Sequence, residues 1–332
     1  MSEVDGSLMI PNSHLKLLPD DYLYHLGYSS AENLIDIFGD IKFVVIGGSI
    51  DRMRNFARYL SSVTGDEAVD LTKTDRYIMY KIGQTLSLSH GIGIPSMSIL
   101  LHETIKLLSY IKATNTVIIR IGTSGGINVP AGSLIITNRS YNGYLEEKQE
   151  LAILGQKVIR PTKLDNELAK QLQACHTDTK YDAILGGTMS TDDFYEGQAR
   201  ADGVLCEFSE SDKLDFLKKL NELGIRNIEM ECTFLAAITA ICNLKCACVC
   251  VTLLDRLKGD QVLVSASEYK EFNERPQRLI AQFISQSLGS VGEKIVKPSV
   301  MFEEPEPKRK CEDKDEIIPR LAKIRREEFT NK

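Results

Sequence analysis

Apolar residues fall into two rhythms along the chain. Short β-branched runs, the candidate strands, occur at 43–46, 77–82, 86–89, 116–121, 133–137, 183–186 and 246–253. Between them come segments with helical spacing. Residues 97–108 place apolar side chains at i, i+3 and i+4, and 232–241 is apolar all round, which predicts a buried helix. Strands alternating with helices point to a layered α/β fold through residue 296. The long apolar stretch 232–254 is divided by Asn243 and Lys245 into helix-sized and strand-sized pieces, so no membrane span is expected. Cys246, Cys248 and Cys250 alternate on the last strand and share one face, and they read as small buried hydrophobes rather than as zinc ligands.

From residue 297 the pattern stops. The last 36 residues hold ten Lys and Arg against nine Asp and Glu, which predicts a charged C-terminal tail over 297–332, after a folded α/β domain at 21–296 and an N-terminal arm at 1–20. Within the tail, Ile317, Ile318, Leu321 and Ile324 have helical spacing, so an amphipathic helix and a solvated end are both open. Lys308-Arg309-Lys310 is a short basic cluster among glutamates. The formal charge of −6 opposes a surface built for nucleic acid, yet leaves room for a local basic pocket. Met1 to Lys16 carries Glu3, Asp5 and His14 and lacks the apolar core of a secretion signal, and no CxxC pair occurs; a cytoplasmic protein is expected.

Three glycine turns follow strands. In Val45-Ile46-Gly47-Gly48-Ser49-Ile50-Asp51-Arg52, backbone N–H groups and a helix N-terminus could meet an anion, with Arg52 adding a forked guanidinium; an ordinary β-to-α turn is the plain alternative. In Ile118-Ile119-Arg120-Ile121-Gly122-Thr123, Arg120 interrupts a buried strand and requires a counter-charge, either an anion also held by Thr123 or a structural carboxylate. His90-Gly91-Ile92-Gly93-Ile94-Pro95-Ser96 imitates a dinucleotide fingerprint but has serine in place of the last small residue and no acidic residue at the right distance. No P-loop is present. Downstream, Phe194 with Gln198 and Arg200 could stack on and hydrogen-bond a planar base, or simply cover the core. Glu229-Met230-Glu231 leads into the buried helix, where the carboxylates could cap it or bind sugar hydroxyls.

In this order, together with Tyr24-His25-Leu26 and Asp75-Arg76-Tyr77, these segments resemble the uridine phosphorylases of the nucleoside phosphorylase superfamily over residues 20–290. The resemblance implies a three-layer α/β fold with a mixed, partly barrel-like central sheet flanked by helices. It implies phosphate on Gly48, Arg52, Arg120 and Thr123, with Arg76 supplied by a partner chain in a homodimer. Ribose falls to Met230 and Glu231, with a partner's His25, and uracil to Phe194, Gln198, Arg200, Leu253, Leu254 and Arg256. Catalysis would rest on Arg120, Gln198, Arg200 and Glu231. The reaction implied is reversible phosphorolysis of uridine to uracil and ribose 1-phosphate, with phosphate as co-substrate and neither cofactor nor metal. Asp255 stands where asparagine is common in the vertebrate-type enzymes, and purine-cleaving relatives carry a catalytic aspartate near that point. The alternatives are a phosphorylase of different base preference, a nucleosidase, a silent nucleoside-binding or scaffolding protein of the same fold and, further off, a dinucleotide-dependent oxidoreductase.

Overall fold

Period-two alternation along the central strands sorts their side chains between two cores, one on each side of a nine-stranded sheet. The computed structural model describes residues 8–289, so the charged tail and its helical spacing at 317–324 lie outside the described residues. Strands are β1 (Tyr22–Leu23), β2 (Tyr28–Ser29), β3 (Phe43–Gly47), β4 (Ala68–Asp70), β5 (Met79–Ile82), β6 (Thr85–Ser89) and β7 (Val117–Gly126). They continue as β8 (Leu134–Tyr141), β9 (Lys148–Ile153), β10 (Gln156–Pro161), β11 (Ala183–Ser190), β12 (Ile225–Glu229) and β13 (Lys245–Asp255). Helices are α1 (Leu34–Phe38), α2 (Ile50–Thr64), α3 (Ile94–Tyr110), α4 (Asn166–Ala174), α5 (Glu210–Glu222), α6 (Cys232–Ile241) and α7 (Ala266–Ser287).

The sheet runs β12-β11-β8-β13-β7-β3-β6-β5-β4, and β12 also pairs with β7, closing its first five strands into a barrel-like ring. Parallel and antiparallel pairs mix within it, as expected for the mixed sheet. Val44, Ile46, Ile118 and Cys246, Cys248 and Cys250 face a core shared with α3 and α6. Val45, Ile119, Ile121, Ala247, Val249 and Val251 face the opposite core, with α2, α4 and α7. The three cysteines therefore behave as buried small side chains on one strand face.

Several elements run further than their apolar pattern. β7 continues through the glycines to residue 126, because Gly125 and Gly126 pair with Ile228 and Asn227 of β12. A Cβ at Gly126 would lie 2.8 Å from Val129 Cγ2 and 2.9 Å from the Leu254 carbonyl oxygen, so the close approach needs glycine. β8 and β11 extend into polar residues, which pair inside the ring: Thr137 and Thr188 hydroxyls meet at 2.6 Å, and Thr188 donates to Asn227 Oδ1 at 2.7 Å. Hydropathy misses such strand ends because polar groups satisfied by each other can be buried. Among the described residues, no helix is long and apolar enough to cross a membrane.

Candidate functional site

Arg120 lies on β7 with the same facing as Cys248 and Cys250, and its guanidinium enters the α6 side of the sheet only 4% exposed. Its Nη1 sits 2.9 Å from Glu229 Oε2, and its Nη2 pairs with Glu231 Oε2. Nη1 also donates to Cys250 Sγ at 3.2 Å and Cys248 Sγ at 3.4 Å. Burial opposes the arginine's charge, but Glu231 and Glu229 together hold it firmly protonated. The two carboxylates differ in what they do. Glu229 accepts from the Ser190 hydroxyl and from the backbone N–H groups of Glu231 and Cys232, thereby capping α6. Glu231 accepts the Gly93 N–H at 2.5 Å through its other oxygen. Burial raises the Glu229 carboxyl, Arg120 pulls it back, the Glu231 charge raises it again, and the net direction is up. Arg120, despite burial, brings Glu231 below the ordinary range.

The first glycine turn abuts this cluster. Ser49 caps α2 by accepting the Arg52 N–H at 3.4 Å, which fixes the first turn of the helix. The Arg52 guanidinium donates to Asn273 Oδ1 through Nη2 at 3.0 Å and Nε at 3.3 Å and, among the described residues, pairs with no carboxylate. Burial and the neighbouring charge of Arg120 both lower its pKa. Two guanidiniums thus stand close enough to repel at a helix N-terminus beside Gly47 and Gly48, a setting that an anion relieves. A Cβ at Gly48 would fall 2.8 Å from the Gly91 carbonyl oxygen and 3.7 Å from His90 Cε1, so the turn after β6 packs directly against it. Thr123, half-buried, continues β7 opposite Val251.

A second cluster is built around the 194–200 segment. Arg200 forms a forked pair with Asp202, Nε to Oδ1 at 2.9 Å and Nη2 to Oδ2 at 2.6 Å, and stacks over the 45%-exposed Phe194 ring at 4.6 Å. Gln198 is buried, ending a short 3-10 turn, and Ala199 follows with φ of 52°. That left-handed residue is held by Arg256, whose Nη2 donates to the carbonyls of Gln198 at 2.8 Å and Ala199 at 3.2 Å while Nε donates to Asp260 at 3.0 Å. Arg256 therefore braces the loop from behind. Leu253 and Leu254, half-buried, close β13 beside it. Asp255 accepts the N–H groups of Leu257 and Asn128, each at 3.2 Å, and so acts as a turn cap.

β7 joins the two clusters. A Cβ at Gly122 would meet Arg120 Nη1 at 2.6 Å, and one at Gly125 would meet Arg256 Cγ at 2.9 Å. Gly48, Arg52, Arg120 and Glu231 are thus assembled together, and Phe194, Gln198, Arg200 and Arg256 form the adjoining group; Met230 lies half-buried between the two glutamates. His25 and Arg76 belong to a third group of contacts. Thr74 Oγ1 donates to the His25 carbonyl at 2.6 Å and accepts the Arg76 N–H at 3.4 Å, and His25 Nδ1 meets Glu103 Oε1 at 2.7 Å. Arg76 is exposed. Among the described residues, neither His25 nor Arg76 makes a direct polar or ring contact to the Arg120 group.

Sequence reasoning passed over His90, Gly93, Asp202 and Asp260. The failed dinucleotide match hid the first two, although a Gly-rich turn at a helix start is itself an anion signal. Among the described residues, no group of three or more His, Cys, Asp or Glu could hold a metal ion.

The family profile described as the phosphorylase superfamily matches residues 42–288. The chain is 46% identical over 288 residues to human uridine phosphorylase 2, covering 84% of this chain and 91% of that one. It is 38% identical over 292 residues to inactive uridine phosphorylase B of Schistosoma mansoni, covering 85% and 97%. A crystal structure of S. mansoni uridine phosphorylase in complex with thymidine superposes with a TM-score of 0.82 at 37% identity, covering 85% of this chain and 99% of that one.

Proposed function

The chain belongs to the uridine phosphorylase family of the phosphorylase superfamily, and from that premise we propose that it catalyses the reversible phosphorolysis of uridine to uracil and ribose 1-phosphate. The observation that carries the reading is Arg52, a guanidinium without a carboxylate partner among the described residues, held beside Arg120 at a capped helix N-terminus. Phosphate is the anion that fits, gripped by Arg52, Arg120, Thr123 and the Gly48 amide, with Arg76 of the partner subunit completing the grip. Forked guanidiniums neutralise the dianion and aim one oxygen at the anomeric carbon.

In the forward direction a phosphate oxygen bonds to the anomeric carbon as the bond to N1 breaks, and that electron pair leaves with the base. Gln198 and Arg200 stabilise the negative charge as it grows on uracil, Phe194 packs on the ring, and Leu253 and Leu254 enclose it, while Arg256 fixes the loop. Met230 and Glu231 hold the ribose, with His25 of the partner subunit at its 5′ end. Glu231 is shared, since Arg120 and Gly93 already use it; phosphate drawing on Arg120 would leave that carboxylate freer for the sugar diol. Asp255 serves as a cap, which supports a pyrimidine rather than a purine base. The proposal includes a cytoplasmic homodimer requiring neither cofactor nor metal.

An inactive relative makes turnover the quantity to measure. Purified full-length protein is incubated with uridine, with and without phosphate, and uracil and ribose 1-phosphate are quantified. Both products should appear only with phosphate. Equal uracil release without it overturns phosphorolysis in favour of a nucleosidase, faster cleavage of inosine reassigns the base, and no turnover of uridine, thymidine or inosine indicates a silent binding protein.

A further inference from the structure

His90 follows β6 and is fixed by its backbone: its N–H donates to the Gly47 carbonyl at 2.8 Å, and its carbonyl accepts the Ser96 hydroxyl at 2.5 Å. Its side chain is fully buried. Neither Nδ1 nor Nε2 has a hydrogen-bond partner among the described residues. A neutral imidazole offers one N–H and one lone pair, and leaving both unmet in the interior is costly enough that such a ring calls for an explanation. The Cε1 edge, which lies between the two nitrogens, faces Gly48 across 3.7 Å measured to a Cβ built there. The charges acting on the ring are those of Glu231, Arg120, Arg52 and Cys248. Arg120 Nε, also buried, likewise has no hydrogen-bond partner among the described residues.

We propose that His90 is a further phosphate ligand, donating a ring N–H to a phosphate oxygen held between Arg52, Arg120 and the Gly47–Gly48 turn. The identity of the anion rests on the phosphorolysis reading; the placement of the donor rests on the geometry. Burial and the two guanidiniums, against the pull of Glu231, bring the His90 pKa down to about 3, so the ring binds as a neutral donor. A third cation at this position would repel the two arginines. A neutral N–H adds a directional contact without that repulsion.

The test combines kinetics with a direct probe. In His90→Leu the phosphate KM should rise about tenfold or more, the size of one hydrogen bond to a charged partner, with the uridine KM within about twofold of the parent. His90→Asn retains an N–H donor in a smaller side chain and should recover part of the loss. In the unaltered protein with 15N-labelled histidine, inorganic phosphate should shift the ring N–H signal that His90→Asn removes, and chloride at equal ionic strength should not. An unchanged phosphate KM in folded His90→Leu, or a ring signal indifferent to phosphate, overturns the proposal. If His90→Leu does not fold, the labelled parent and His90→Asn decide. If the parent responds to phosphate but cleaves no nucleoside, the phosphorolysis reading falls and the His90 contact stands.

Discussion

His90 and Arg120 show two ways of burying a group that water would otherwise solvate. Arg120 remains charged because Glu229 and Glu231 accompany it. Losing one partner of such a buried pair typically costs about 3–5 kcal/mol, much of it the cost of the stranded charge. His90 remains buried by staying neutral, and this ties its stability effect to pH with a definite sign. The unfolded ring titrates near 6.5 and the folded ring near 3. Above pH 6.5 neither state binds the proton. As pH falls from 6.5 toward 3 the unfolded chain takes up a proton that the folded ring refuses, so stability is lost by up to about 1.4 kcal/mol per pH unit. His90→Asn removes that difference. Urea unfolding of both proteins at several pH values between about 4.5 and 6.5 should give a stability slope shallower by nearly one proton in the variant. Parallel slopes would mean that the folded ring titrates like the unfolded one.

At the scale of elements, the glycines of β7 do what the apolar pattern could not announce. β6 was legible by its alternation of Leu86 and Leu88 with Thr85, Ser87 and Ser89, and β3 and most of β13 because their residues are apolar on both faces, as strands between two helical layers must be. Helix α6 was legible to the residue for the same reason. The 122–126 run reads locally as a loop, and its pairing with β13 and β12, both distant in sequence, keeps it in the sheet. The counter-charge on Arg120 was likewise undecidable from its own strand, since Glu229 and Glu231 arrive from a distant helix start. The arginines beside the first glycine turn could be named in sequence; the burial of His90 could not, because it depends on two turns meeting. Gly122→Ala tests the element directly. The new Cβ would lie 2.6 Å from Arg120 Nη1 and 2.7 Å from Cys250 Sγ, and the guanidinium is pinned by two carboxylates, so strand or arginine must shift. A loss of about 1–3 kcal/mol in urea unfolding is expected, as for other overpacked cores, with a raised phosphate KM. Parent-like values for both would show that the strand accommodates a methyl without disturbing Arg120.

For the whole molecule the question is what His25 and Arg76 face. They are tied to one another through Thr74, and Tyr24, next to His25, is 75% exposed. An exposed aromatic side chain next to His25, with Arg76 itself exposed, suits a surface covered by a second copy of the chain. If each site borrows Arg76 from the other subunit, Arg76→Ala and Arg120→Ala should both be nearly inactive as homodimers, yet complement each other in a hybrid. In the hybrid, the Arg76→Ala chain keeps its own Arg120 and receives an intact Arg76, while the opposite site has neither arginine. Coexpressing the two variants with different affinity tags and purifying on both should therefore restore about half of the parent's rate, one intact site of two. A hybrid as inactive as its parents would place both arginines in the same subunit's site, and an Arg76→Ala homodimer with full activity would remove Arg76 from the site altogether.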